Sequence, residues 1–203
     1  DIIVVFFTLL SLYYLLRKKK LYLSILFLAL STGIKYFTIL LLPIIILYYY
    51  RKEDKFGIYF FKCIKCILIF FIIITIFYIP YFKDTNILLA MLSQGSKYTK
   101  SIYELLMFID YDFMLLVRGI ITIFFGTYYI VSCLKFLFNK QNKIRKMLRI
   151  YNIMLICFLL MLSNFQHWYL IWLLATIMWQ KPKMIKNIIG ITLAVEMANS
   201  IYM

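Results

Sequence analysis

Carboxylates are scarce in this chain. Eight Asp and Glu stand against 23 Lys and Arg, a formal net charge of +15. The stretch from Lys135 to Arg149 holds six cations and no acid. Turn formers are scarce too, with three Pro and six Gly in 203 residues. Together with the wealth of Ile, Lys, Tyr and Phe, this points to an AT-rich genome, which by itself inflates the lysine count. Long polar stretches are almost missing, so there is no room for a separate soluble domain. Internal repeats and a transmembrane GxxxG are absent, which excludes a repeat architecture and a glycine-mediated helix pair. The four cysteines include one CxxC, Cys63-Ile-Lys-Cys66. With no second pair and no thioredoxin-like βαβ context it reads as small apolar side chains at the mouth of a helix, not as a metal or redox site. Neither a metal nor another cofactor is expected. The chain opens on Asp1 without Met or a cleavable signal, and is expected to be a piece of a longer protein whose end need not be Met203.

What is present is apolar. Hydrophobic residues make up 65% and aromatics 20%, with mean hydropathy +0.91. Apolar runs repeat along the whole length, separated by short basic clusters. The expectation is an all-α, polytopic integral membrane protein built of short helical hairpins, one transmembrane domain over 1–203. The net charge does not indicate nucleic acid, because the cations fall between apolar runs. They follow the positive-inside rule, helped by anionic lipid.

The expected spans are 2–16, 21–33, 35–50, 60–79, 113–138, 149–163, 168–180 and 187–203, with an outer segment at 83–112 holding a short ordered helix. The stretch 21–50 is decisive. As one helix it would be about 45 Å long against a hydrocarbon core of roughly 30 Å. It would also put Arg17–Lys20 and Arg51–Lys55 on opposite sides. Two shorter helices joined near Gly33, where glycine offers a place to bend, return both clusters to the cytoplasm. Lys35 then sits at a hairpin tip at or slightly below the outer face. The second hairpin has its polar tip at Ser163–His167. In this arrangement all but five of the 23 Lys and Arg are cytoplasmic, the five being Lys35, Lys83, Lys97, Lys100 and Arg118. Asp1, Asp84, Glu104, Asp110 and Asp112 lie outside, and Glu53 and Asp54 inside.

A lone lysine between oily runs is costly. Lys35 is either an interfacial anchor that snorkels or a contact for an anion. The outer tips and the outer segment gather amines, carboxylates and the one imidazole, His167, at the boundary between bilayer and water. Group transfer from a lipid-linked donor suits such a place: a cation holds phosphate while a carboxylate takes a proton from the acceptor hydroxyl. Each residue also has a plainer reading. His167, Trp168, Tyr169 and Trp172 suit an aromatic belt, Arg118 an interfacial anchor, and Glu104 and Asp112 solvated loop acids.

Gly33-Ile34-Lys35-Tyr36-Phe37-Thr38, followed by an apolar run and Pro43, resembles the "G-x-K-x-x-P, apolar run, Pro" signature of multi-pass GT-C glycosyltransferases. The likeness is to the bacterial branch related to phosphatidylinositol and polyprenol-dependent mannosyltransferases, with Thr38 in place of the usual Pro. Phe165-Gln166-His167-Trp168-Tyr169-Leu170-Ile171-Trp172 resembles that family's late "F-x-x-W-Y-x-x-W" hairpin, and Ser101–Leu106 its "S-[IL]-[YF]-x-L-L" outer-loop piece. The resemblance implies a bacterial cell-membrane enzyme that transfers a hexose such as mannose from a polyprenyl-phosphate donor to a lipid or glycan acceptor on the outer face. It implies phosphate contacts at Lys35 and Arg118, and sugar or lipid contacts at Gln166, His167, Trp168, Tyr169 and Glu104. The family's catalytic acid lies in an early outer loop. Asp1, standing where its "H-N-D" segment would end, is the one candidate here. The alternatives are a transporter or flippase of a lipid-linked sugar, which needs polar or broken helices at the midplane, and a membrane scaffold without ligand.

Overall fold

The computed structural model describes residues 2–50, 56–81, 110–138, 144–161, 171–173, 176, 186 and 190. Every regular element among them is helical. Helix α1 is Ile2–Leu16 and α2 is Leu21–Ile34, followed by a 3-10 turn, Tyr36–Leu40, and α3, Leu41–Tyr49. Helix α4 is Phe56–Tyr78, with a 3-10 turn at Ile79–Tyr81. Helices α5, Tyr111–Phe138, and α6, Ile144–Met161, complete the described set. The expected ordered helix within 83–112 falls mostly on residues outside this description, as does the polar tip at 163–167.

Among the described residues two helices are long and apolar enough to cross a membrane: Gly57–Tyr78, mean hydropathy 2.5, and Tyr111–Phe136, mean hydropathy 1.8. Only 11% of either apolar stretch is buried within the protein. Phe61 is 74% exposed and Ile123 71%. The core helix of a water-soluble domain would be covered on most of its surface, and these are not.

Helices α1 and α2 run antiparallel, tied by a seam of small hydroxyl residues. The Thr8 and Ser31 hydroxyls are 2.9 Å apart, and Ser31 Oγ also donates to the Val4 carbonyl at 3.0 Å. One turn deeper, Ser11 Oγ donates to the Ser24 carbonyl at 2.8 Å. All four hydroxyl residues are buried. Small side chains let the two backbones approach, and each hydroxyl finds its partner there, which apolar surroundings require. Lys19, at φ 54°, makes the reversal between the helices.

Contacts at both ends set the direction of the remaining helices. At one end the Tyr49 hydroxyl reaches the Lys19 carbonyl at 3.4 Å, so α3 returns antiparallel to α2. Lys65 lies over the Tyr22 ring at 5.8 Å and Lys62 over Tyr50 at 5.4 Å, which brings the start of α4 to the same place. At the other end Tyr78 donates to the Gly33 carbonyl at 2.7 Å. Helix α4 is therefore parallel to α2. The basic cluster Arg17–Lys20 and the Tyr48–Tyr50 belt sit together, and Lys35 lies at the opposite end, level with the end of α4.

Helix α5 starts with Asp110, whose carboxylate accepts the Asp112 amide at 3.0 Å, and Asp112 in the first turn suits the positive end of the helix dipole. Further along, Tyr129 donates to the Leu40 carbonyl. Helix α6 begins at Ile144, five residues before the expected apolar span. Arg145, Lys146 and Arg149 face outward while Met147, Leu148, Ile150 and Tyr151 are buried. The helix is amphipathic there, and hydropathy alone placed its start too late.

Candidate functional site

The chain breaks at Lys35. Its backbone is extended, φ −144° and ψ 114°, and its amide makes the last helical bond of α2, to the Ser31 carbonyl at 3.0 Å. Gly33, the expected bend, lies inside α2 and does not have positive φ. A Cβ there would meet nothing within 4 Å, so glycine's freedom is not what makes the break. Two other features do. Pro43 has no N–H for the Ile39 carbonyl, and its ring clashes with that group, which suits the tighter 3-10 path over Tyr36–Leu40. Two of the carbonyls at the break are also taken. Gly33's accepts from Tyr78 at 2.7 Å, and Lys35's accepts from Thr38 Oγ1 at 3.2 Å and the Thr38 amide at 3.4 Å. Thr32 and Thr38, hydroxyls 2.9 Å apart, staple the two arms. Thr38 is thus structural, since its amide and its hydroxyl both close the tip.

Above this staple Phe37 is buried and stacks on Trp172, ring centroids 4.0 Å apart and planes 19° from parallel. Trp172 is buried as well. Lys35 lies half-buried with Nζ 5.7 Å from the Trp172 ring centre. The flanking Ile34 and Tyr36 are exposed. An ammonium over an indole face is attracted by the ring quadrupole. The stack holds the indole, and the ammonium lies over the indole's face.

Trp172 is held from the other side by its own segment. Three residues beyond Leu173 lies the buried Thr176, which donates to the side-chain oxygen of buried Asn152 on α6. Lys35 and Trp172 belong to the two motifs that carry most of the family resemblance, and they meet here although they come from opposite halves of the chain. Phe37, Thr38, Tyr78 and Trp172 belong to the site but were not among the expected contact residues. The sequence signal for Trp172 was its place as the last aromatic of the Trp168–Trp172 run.

Arg118 is half-buried on α5, its carbonyl accepting from Thr122 at 2.8 Å. It lies eleven residues before Tyr129, about 16 Å along the helix, and so beyond the level at which Tyr129 meets Leu40. Asp1, Glu104, Gln166, His167, Trp168 and Tyr169 lie outside the described residues. Among the described residues no group of His, Cys, Asp and Glu could hold a metal ion. Cys63 and Cys66 are free thiols. No family model, curated protein or solved structure matches the chain.

Proposed function

We propose that the chain is part of a multi-pass, GT-C-like membrane glycosyltransferase that moves a hexose from a polyprenyl-phosphate donor to a lipid or glycan acceptor at the outer face. One observation carries the reading: the Lys35 ammonium held over Trp172 at the hairpin tip, at the opposite end of the bundle from the basic cluster. By the positive-inside rule the basic end is cytoplasmic, which makes this tip external. The length and the exposed apolar faces of α4 and α5 support membrane spans there. The arms α1, α2 and α3 are shorter, so several passes are hairpins packed against the two long helices.

In this reading Lys35 holds the donor phosphate. The leaving group of the transfer is that phosphate, so charge grows on it as the glycosidic bond breaks. A fixed cation in a partly dry place stabilises that charge more than water does. Trp172 and Phe37 keep the ammonium aimed. The acceptor hydroxyl loses its proton to a carboxylate, for which Asp1 is the candidate from the resemblance. Gln166, His167, Trp168, Tyr169 and Glu104 are proposed to line the sugar's side, and Arg118 to offer a second cation farther out. In this reading the site opens to the outer face only, whereas a flippase needs access from both.

The test is a sealed-vesicle assay with the full-length protein, labelled polyprenyl-phosphate hexose and total membrane lipid as the source of acceptor. Labelled hexose on an acceptor, with polyprenyl phosphate released, is expected. Intact donor crossing between leaflets without cleavage would establish the flippase instead.

A further inference from the structure

The turn that carries Lys35 is tied to both long helices, each time by one tyrosine hydroxyl. Tyr78, at the end of α4, donates to the Gly33 carbonyl at 2.7 Å, and Tyr129 on α5 donates to the Leu40 carbonyl. Gly33 stands just before Lys35, and Leu40 closes the 3-10 turn that follows it. Each pairing serves two groups at once. A carbonyl released at a break needs a donor, and a phenol in apolar surroundings needs an acceptor. Tyr129 is buried accordingly, whereas its neighbour Tyr128 is exposed.

Packing covers the ends of this turn only in part. A Cβ on Gly33 would meet nothing within 4 Å, and Ile34 and Tyr36 are exposed. At the other end Ile39 and Leu40 are half-buried and line a groove of about 550 Å³ between α3, α4 and α5, with Tyr129 in the same wall. The middle is held differently. Phe37 stacks on Trp172, and the Thr38 hydroxyl meets that of Thr32. The two ends, where side chains pack least, are where the phenols bind.

We infer that Tyr78 and Tyr129 are positioning residues for the Lys35 ammonium, each holding one end of its turn on a long helix; their part in transfer rests on the reading proposed above. Tyr78→Phe and Tyr129→Phe each delete one hydroxyl and keep the ring. Acetylation of lysines by sulfo-N-hydroxysuccinimide acetate, followed by peptide mass spectrometry on the full-length protein in detergent, needs neither donor nor transfer. Loss of either bond should speed labelling of Lys35 by about fivefold through looser closure of the turn. Exposed Lys18, at the opposite end of the bundle, should be unchanged. In the transfer assay each substitution should lower kcat by about fivefold. On a Lys35→Ala background it should cost nothing further, because it acts through the ammonium. Unchanged Lys35 labelling in either variant overturns the inference, as does faster labelling of Lys18 and Lys35 alike, the mark of a fold merely weakened. A loss of transfer that is the same with and without Lys35 overturns it too. Faster labelling of Lys35 alone, in a parent protein that transfers no hexose, upholds the positioning and sinks the transferase reading.

Discussion

Replacing Lys35 with alanine is expected to lower hexose transfer, or donor binding, by roughly 30- to 900-fold, the equivalent of about 2 to 4 kcal/mol for one preorganised contact to developing charge. The fold should survive. Lys35 is half-buried at a chain break, and its contact with the Trp172 face contributes about 0.5–2 kcal/mol at such a position. The backbone bonds that shape the tip run through Ser31, Gly33 and Thr38 and do not use the ammonium. Lys35→Arg should keep part of the activity, because the charge persists while the point geometry is lost. Lys83→Ala, which removes a cation from the segment expected to lie outside, should be close to neutral. The check is transfer by the full-length protein, with unfolding of each variant followed in parallel. A folded Lys35→Ala protein that binds donor like the parent would make Lys35 an interfacial anchor and nothing more.

Trp172→Ala should be the most damaging single change to stability among the residues of the site. The indole is buried and stacked on buried Phe37. Its removal opens a cavity where the C-terminal segment meets the hairpin tip, at a cost of about 3–5 kcal/mol. The melting temperature in detergent should fall by roughly 10 °C. The same change should weaken donor binding in whatever protein remains folded, since the ammonium loses the surface that aims it. Trp172→Phe keeps a ring on Phe37 and should recover most of the stability. Its smaller quadrupole holds Lys35 less firmly. A Trp172→Ala protein as stable as the parent would mean that the stack does not join the two segments.

The helices were legible because their cause is local. Apolar runs too long for anything but helix, and basic clusters between them, mark the elements and their ends. The lysine between Ile34 and Tyr36 marks the break in 21–50. The bend expected from glycine, however, comes from Pro43 and from hydroxyls that take up the released carbonyls. These are side-chain bonds between positions three to six residues apart, and Tyr78 adds one from α4. The α1–α2 seam was half legible: Ser24 and Ser31 are seven apart and share a helix face, as Thr8 and Ser11 nearly do. A search for glycine spacing passes over hydroxyls that serve the same close approach. The start of α6 was hidden because its cations occupy one face and so dilute the hydropathy of a helical segment. The meeting of Lys35 with Trp172 is long-range packing. No periodicity in either segment encodes it, and only the order of the two motifs hinted that they belong together.

Lys35 must face outward while the basic end faces the cytoplasm, and every functional step above depends on that orientation. Single cysteines at Ile34 and Lys18, both exposed positions, in a chain whose native cysteines are replaced, read it directly. With a membrane-impermeant maleimide on intact cells, the cysteine at position 34 should label at once and that at position 18 only after permeabilisation. Labelling of both from the same side, or in the reverse order, would contradict it.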